Sequence, residues 1–166
     1  MNRIVCNASP IIALSSINSL GLLAQLFDEI YIPQAVYREV IENSPENAIG
    51  RRELLFNLEK GYFKIYEVKN KESVDQLYGK LHYGELEVII AAKELDISSV
   101  ILDDIAARKL AETFLLQPVG TLGVLLLAKQ EGIVPAVKSL VDELVQNHHF
   151  RISKTLYERI LKEVNE

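Results

Sequence analysis

Apolar residues along this chain follow two different periods. Five short runs, at residues 4–6, 30–32, 63–68, 100–102 and 118–119, are of strand length. Between them, apolar residues recur three and four apart, the spacing that gathers side chains on one face of a helix. Ser9-Pro10 predicts a helix opening at Pro10, and Pro33 closes the second run and opens a helix carrying Val36, Val40 and Ile41. Further helices are predicted at 49–58, 73–81, 84–95, 104–114 and 121–130. Val137, Leu140, Val141, Leu144 and Val145 then form one apolar stripe, and Tyr157, Ile160, Leu161 and Val164 form another. Strands alternating with helices predict a three-layer α/β/α fold around a mostly parallel sheet of about five strands. A length of 166 residues suits a single domain, 1–166, with C-terminal helices over about 133–166.

Composition narrows the picture. At 49% hydrophobic and 25% charged residues, whole-chain disorder is excluded. A formal net charge of -5 excludes a global basic field that would attract nucleic acid, so any such role must rest on local basic groups or on cations. The one cysteine, Cys6, lies in an apolar run, which fits a reducing compartment. The start of the chain lacks a signal-peptide pattern, and the longest apolar stretch, 119–128, is interrupted by Gly120 and Gly123. The expectation is a soluble, cytoplasmic protein without membrane contact. The 124–128 run and the two C-terminal stripes offer more apolar surface than one sheet face would cover, which predicts a homodimer.

In a parallel sheet every strand ends at the same edge, where ligands of open α/β folds bind. Asn7 ends the first predicted strand, Glu39 lies on the helix after the second, Glu85 and Glu87 open a later helix, and Asp103 and Asp104 follow the fourth strand. Each has a local explanation. Asn7 or Ser9, and Asp103 or Asp104, could cap helices; Glu85 and Glu87 could answer a helix dipole; Glu39 could be a solvated surface acid. Capping alone does not require Glu39 in a second turn, nor paired aspartates straight after an apolar strand. Carboxylates crowded together repel unless a cation offsets them. Oxygen donors of this kind suit Mg²⁺ or Mn²⁺, which can activate water for phosphodiester hydrolysis.

Three motifs carry a resemblance to a known family: Asn7-Ala8-Ser9-Pro10-Ile11-Ile12; Pro33 with Val36 and Glu39; and Glu85 leading through an apolar helix to Asp103. Together with Gly84-Glu85-Leu86-Glu87, Leu102-Asp103-Asp104 with Ala107-Arg108, and Gly120-Thr121-Leu122-Gly123, they resemble a PIN-like branch of the PIN-domain family. The motifs span roughly the first 130 residues. The resemblance implies a metal-dependent ribonuclease, similar to the toxins of type II toxin–antitoxin pairs, with RNA as substrate and an antitoxin protein as partner. It places catalytic and metal-binding roles on Asn7, Glu39, Glu85 and Asp103, with Asp104 and Glu87 as further ligands. Where active members of that family carry an aspartate, this chain has Asn7, whose amide brings an oxygen but no charge. The competing expectation is therefore a catalytically impaired module that binds RNA or a protein partner.

Basic groups near this edge are few. Arg108, one helical turn beyond Asp104, is the candidate for holding a substrate phosphate, against a plain pairing with Asp104 or Glu112. His82 precedes Gly84 and could approach the site, while Tyr62, Phe63 and Tyr66 read as strand and core.

Overall fold

A computed structural model describes residues 1–166. Five strands, β1 (Arg3–Cys6), β2 (Glu29–Pro33), β3 (Phe63–Tyr66), β4 (Ser99–Ile101) and β5 (Gln117–Val119), form one sheet in the order β3-β2-β1-β4-β5. Every pairing is parallel. The three central strands carry the apolar runs Ile4-Val5-Cys6, Ile30-Tyr31-Ile32 and Val100-Ile101 because both sheet faces are covered. Helix α6 (Tyr83–Glu94) crosses β1, β2 and β4, and Leu86, Val88, Ile89, Ala91 and Ala92 on it are buried. Helices α1 (Ala8–Ser16), α2 (Leu22–Leu26) and α8 (Thr121–Gln130) pack together in a second layer. Forty-one buried apolar residues join in one core.

The predicted strands and most predicted helices are present, with instructive shifts. Helix α1 begins at Ala8, two residues before Pro10, because a proline in the first turn removes only an N–H that would have had no partner there. Helix α5 (Lys71–Leu77) begins two residues earlier than expected, where the Ser73 N–H donates to Asn70 Oδ1 at 3.1 Å. The segment after Pro33 is not one α-helix. Its first turn, α3 (Gln34–Tyr37), passes into a π turn over Arg38–Glu42, where the Asn43 N–H donates to the Arg38 carbonyl at 2.7 Å. Helices α4 (Arg51–Glu59) and α7 (Ile105–Thr113) complete the layers.

The C-terminal helices α9 (Lys138–Asn147) and α10 (Lys154–Glu163) pack onto the chain's own core. Val137, Val141 and Leu144 are fully buried, as are Val124, Leu125 and Ala128. Much of the apolar surface in these stripes is thus covered within the chain, while Val145 stays exposed and Leu126, Leu127 and Leu140 are only half-buried. No helix is long and apolar enough to cross a membrane. Leu144→Ala is expected to cost about 2–4 kcal/mol in urea unfolding, whereas Val145→Ala, at a position 37% exposed, should cost under about 0.5 kcal/mol. Equal effects would mean that the stripe does not pack as described.

Candidate functional site

The strand order reverses between β1 and β4, so the helices that follow them depart in opposite directions and leave a crevice at the strand ends. Asn7 sits there. Its backbone N–H donates to the Ile101 carbonyl at 3.1 Å, extending the β1–β4 ladder by one bond. Asn7 stands at the N-cap of α1, yet its side chain makes no capping hydrogen bond. The residue is 4% exposed, and its Oδ1 has no partner at all. Leaving a buried acceptor unmet costs about 1–3 kcal/mol. Such groups are rare and call for an occupant or a role. Ser15 Oγ, inside α1, is the other one in this chain.

Gly84 leaves room for the Glu39 carboxylate at the same place. It is buried in the first turn of α6, and a methyl group on it would lie 3.2 Å from Asn7 Oδ1 and 3.4 Å from Glu39 Oε2. The missing side chain is what lets α6 descend onto both oxygens. Glu39 reaches this point from the π turn, a local geometry that often marks functional positions. Its carboxyl is pushed above the usual carboxylate range, first by partial burial and then by the negative charge of Glu85, with His82 acting in the opposite sense. Glu85 accepts the His82 backbone N–H at 2.8 Å, bracing the start of α6. Asn7, Glu39 and Glu85 therefore share one side of the crevice.

Asp103 occupies the other side and is already engaged. Its Oδ1 accepts the Thr121 N–H at 2.7 Å and its Oδ2 accepts the Thr121 hydroxyl at 2.6 Å, so the carboxylate sits at the positive end of α8. Its charge still reaches the buried Cys6 thiol, which burial first and Asp103 second hold well above the ordinary value. Thr121 was within the Gly-Thr-x-Gly motif but had no expected role; only the fold reveals that its hydroxyl and N–H are aimed at Asp103. Asp104 caps α7, accepting the Ala107 N–H at 2.8 Å. Arg108 pairs with neither Asp104 nor Glu112. Its Nη1 donates to the Leu102 carbonyl at 3.2 Å and lies beside Gly120, where an added methyl would stand 2.9 Å from that nitrogen and 3.1 Å from Asp103 Oδ1. Glu87 turns away from Glu39 and lines a separate cleft with Arg38 and Lys71.

An oxygen-lined crevice at the switch point of a parallel α/β/α sheet is the class of site this architecture defines. A family model described as a PIN domain matches residues 3–166, and the chain belongs to the PIN-domain family. The match runs through α9 and α10, beyond the segment that carries the sequence motifs. Membership points to a nuclease-like function in general, in a family that often uses divalent metals. No curated protein is recognisably similar to this chain.

The residues on the Asn7 side fit a hard cation by the chemistry of their donors: an orphaned amide oxygen, a carboxyl whose ionised form is penalised, and the acid that penalises it. No three of the chain's histidine, cysteine and acidic side chains converge on one point that could hold a metal ion.

Two variants separate the halves of the crevice. Because the native state of Glu39 holds its proton to higher pH than the unfolded state, stability falls as pH rises from the ordinary carboxylate range through the raised value, and the deficit persists above it. Glu39→Gln should remove that fall and raise the melting temperature near neutral pH by roughly 1 °C. Asp103→Ala, which strips Thr121 of two charge-assisted hydrogen bonds, should instead cost about 2 kcal/mol. Calorimetric melts of both across pH check the pair, and a stabilising Asp103→Ala would contradict the assignment.

Proposed function

We propose that the protein is a divalent-metal-dependent endoribonuclease that hydrolyses RNA phosphodiesters as the toxin of a toxin–antitoxin pair. The observation that carries this reading is the unpartnered Asn7 Oδ1, buried against Gly84 beside the Glu39 carboxyl. A buried acceptor next to an acid is costly alone and favourable once a cation shares both oxygens. Asn7, Glu39 and Glu85 would hold Mg²⁺ or Mn²⁺, with Asp103 contributing from the opposite side. A divalent ion bound there would supply an activated water and neutralise phosphate charge.

The chain's own groups do the positioning. Thr121 fixes both oxygens of Asp103, so this acid needs little reorganisation when charge arrives. Arg108 is steadied by the Leu102 carbonyl and keeps the rest of its guanidinium for a phosphate. With a net charge of -5, these local positive elements must overcome general repulsion of RNA. The reading takes residues 1–166 as one cytoplasmic domain. The exposed Leu55, Phe56, Tyr62 and Ile65 on α4 and the β3 edge offer a surface for an antitoxin or a second copy of the chain.

A second reading has its own support. Asn7 carries no charge, and both Asp103 oxygens are already hydrogen-bonded. Turned by half a turn, the Asn7 amide would present Nδ2 to Glu39 as a plain structural hydrogen bond. The protein would then bind RNA or a protein partner without cutting.

Asn7→Asp separates the two. In the nuclease reading it lowers the apo melting temperature by adding a third repelling carboxylate. It also enlarges the stabilisation by millimolar Mn²⁺ and raises the rate of single-stranded RNA cleavage severalfold. Loss of metal-free stability with no gain in Mn²⁺ response or cleavage would favour the binding module.

A further inference from the structure

Beside the crevice lies a cleft of about 370 Å³, within the range that holds small ligands. Its residues alternate along the chain with those of the crevice: Arg38 precedes Glu39, Tyr83 precedes Gly84, and Glu87 follows Glu85 by two. A strand lying along the sheet edge would therefore meet both. The cleft is mixed in character. Val68 and Val74 are buried beneath it, and the half-buried Glu87 brings a carboxylate, with Gln34 contributing an amide. Tyr83 forms one wall. Its ring is stacked on Tyr78 with centroids 4.4 Å apart, and its hydroxyl donates to Asp75 at 3.4 Å, so the wall is set before any ligand arrives.

At the rim, Arg38 and Lys71 are paired only with exposed acids, Glu42 at 3.9 Å and Glu67 at 3.1 Å. Such pairs exchange readily for a phosphate.

We propose that this cleft reads a guanine base of single-stranded RNA, with Glu87 as the specificity-determining group and Tyr83 as the flanking ring. The base chemistry selects guanine. A carboxylate has two acceptor oxygens side by side, and guanine alone presents two adjacent donors, N1–H and the N2 amino group, on its Watson–Crick edge. Uracil offers a single donor between two acceptors, while adenine and cytosine set an amino group beside a ring acceptor. Gln34 can donate to guanine O6, and an aromatic wall serves any base. The RNA source of the guanine rests on the nuclease reading; the base preference does not.

The test uses the full chain in EDTA, so that binding is read without cleavage. Calorimetric titrations compare an all-uridine RNA pentamer, the same pentamer with one central guanosine, and 5′-GMP. The guanosine pentamer should bind about tenfold tighter than the uridine pentamer and tighter than 5′-GMP. Glu87→Gln, whose amide offers one acceptor and one donor, should bring the two pentamers within about twofold of each other. Tyr83→Ala should weaken both, and thermal melts establish that each variant is folded. Equal binding of the two pentamers, or a guanosine preference that survives Glu87→Gln, overturns the proposal. Binding of 5′-GMP as tight as that of the guanosine pentamer overturns it in favour of a free-nucleotide site. A protein that shows the preference but never cuts RNA keeps this inference and loses the nuclease reading.

Discussion

The parallel pairing of β1 with β4 at the centre of the sheet is the constraint from which the rest follows. Because Cys6 lies opposite Ile101, the two strands end together, and the residues after them face one crevice. The Asn7 N–H continues the ladder onto Ile101, and its side chain is buried beside the strand ends. Gly84 then brings α6 down onto the Asn7 oxygen, and the π turn brings Glu39 to the same place. Shifting the register by one residue would turn Asn7 to the other face of the sheet and dissolve the site.

The crevice stores its tension unevenly. On the Asn7 side, an unmet acceptor and mutually repelling carboxyls leave the apo protein with an unfavourable cluster. On the Asp103 side the charge is absorbed by Thr121 and the start of α8. Strain on one side and satisfaction on the other suit a site in which one half receives a cation and the other is held ready. The proposed metal-dependent reading would give this asymmetry a purpose, in a family whose membership points to nuclease-like function in general.

Much of this was legible in the residues. Strand runs such as 4–6 and 30–32 are continuously apolar because helices cover both faces, and that signal survives without any knowledge of the fold. The six acidic or amide positions near the strand ends followed from topology alone. What the pattern could not carry was orientation. Glu85 and Glu87 are neighbours in sequence, yet one faces Glu39 and the other a separate cleft with Arg38. Glu39 was placed on an α-helix, whereas a π turn positions it, and no residue type signals that turn. The C-terminal stripes suggested an interface because periodicity reports that a face is apolar, not what covers it; the chain's own core covers Val137, Val141, Leu144 and Ile160. Asp103 read as one more repelling acid until Thr121, eighteen residues on, proved to be its partner.

The central claim is that a divalent cation is held between the Asn7 amide and the Glu39 and Glu85 carboxylates. Paramagnetic broadening by substoichiometric Mn²⁺ in amide-resolved NMR tests it most directly. The Asn7 side-chain amide and the Gly84 backbone N–H should lose intensity first, and both should be spared when Glu39→Gln is titrated in the same way. Broadening centred elsewhere, or undiminished at Asn7 in that variant, would contradict the account.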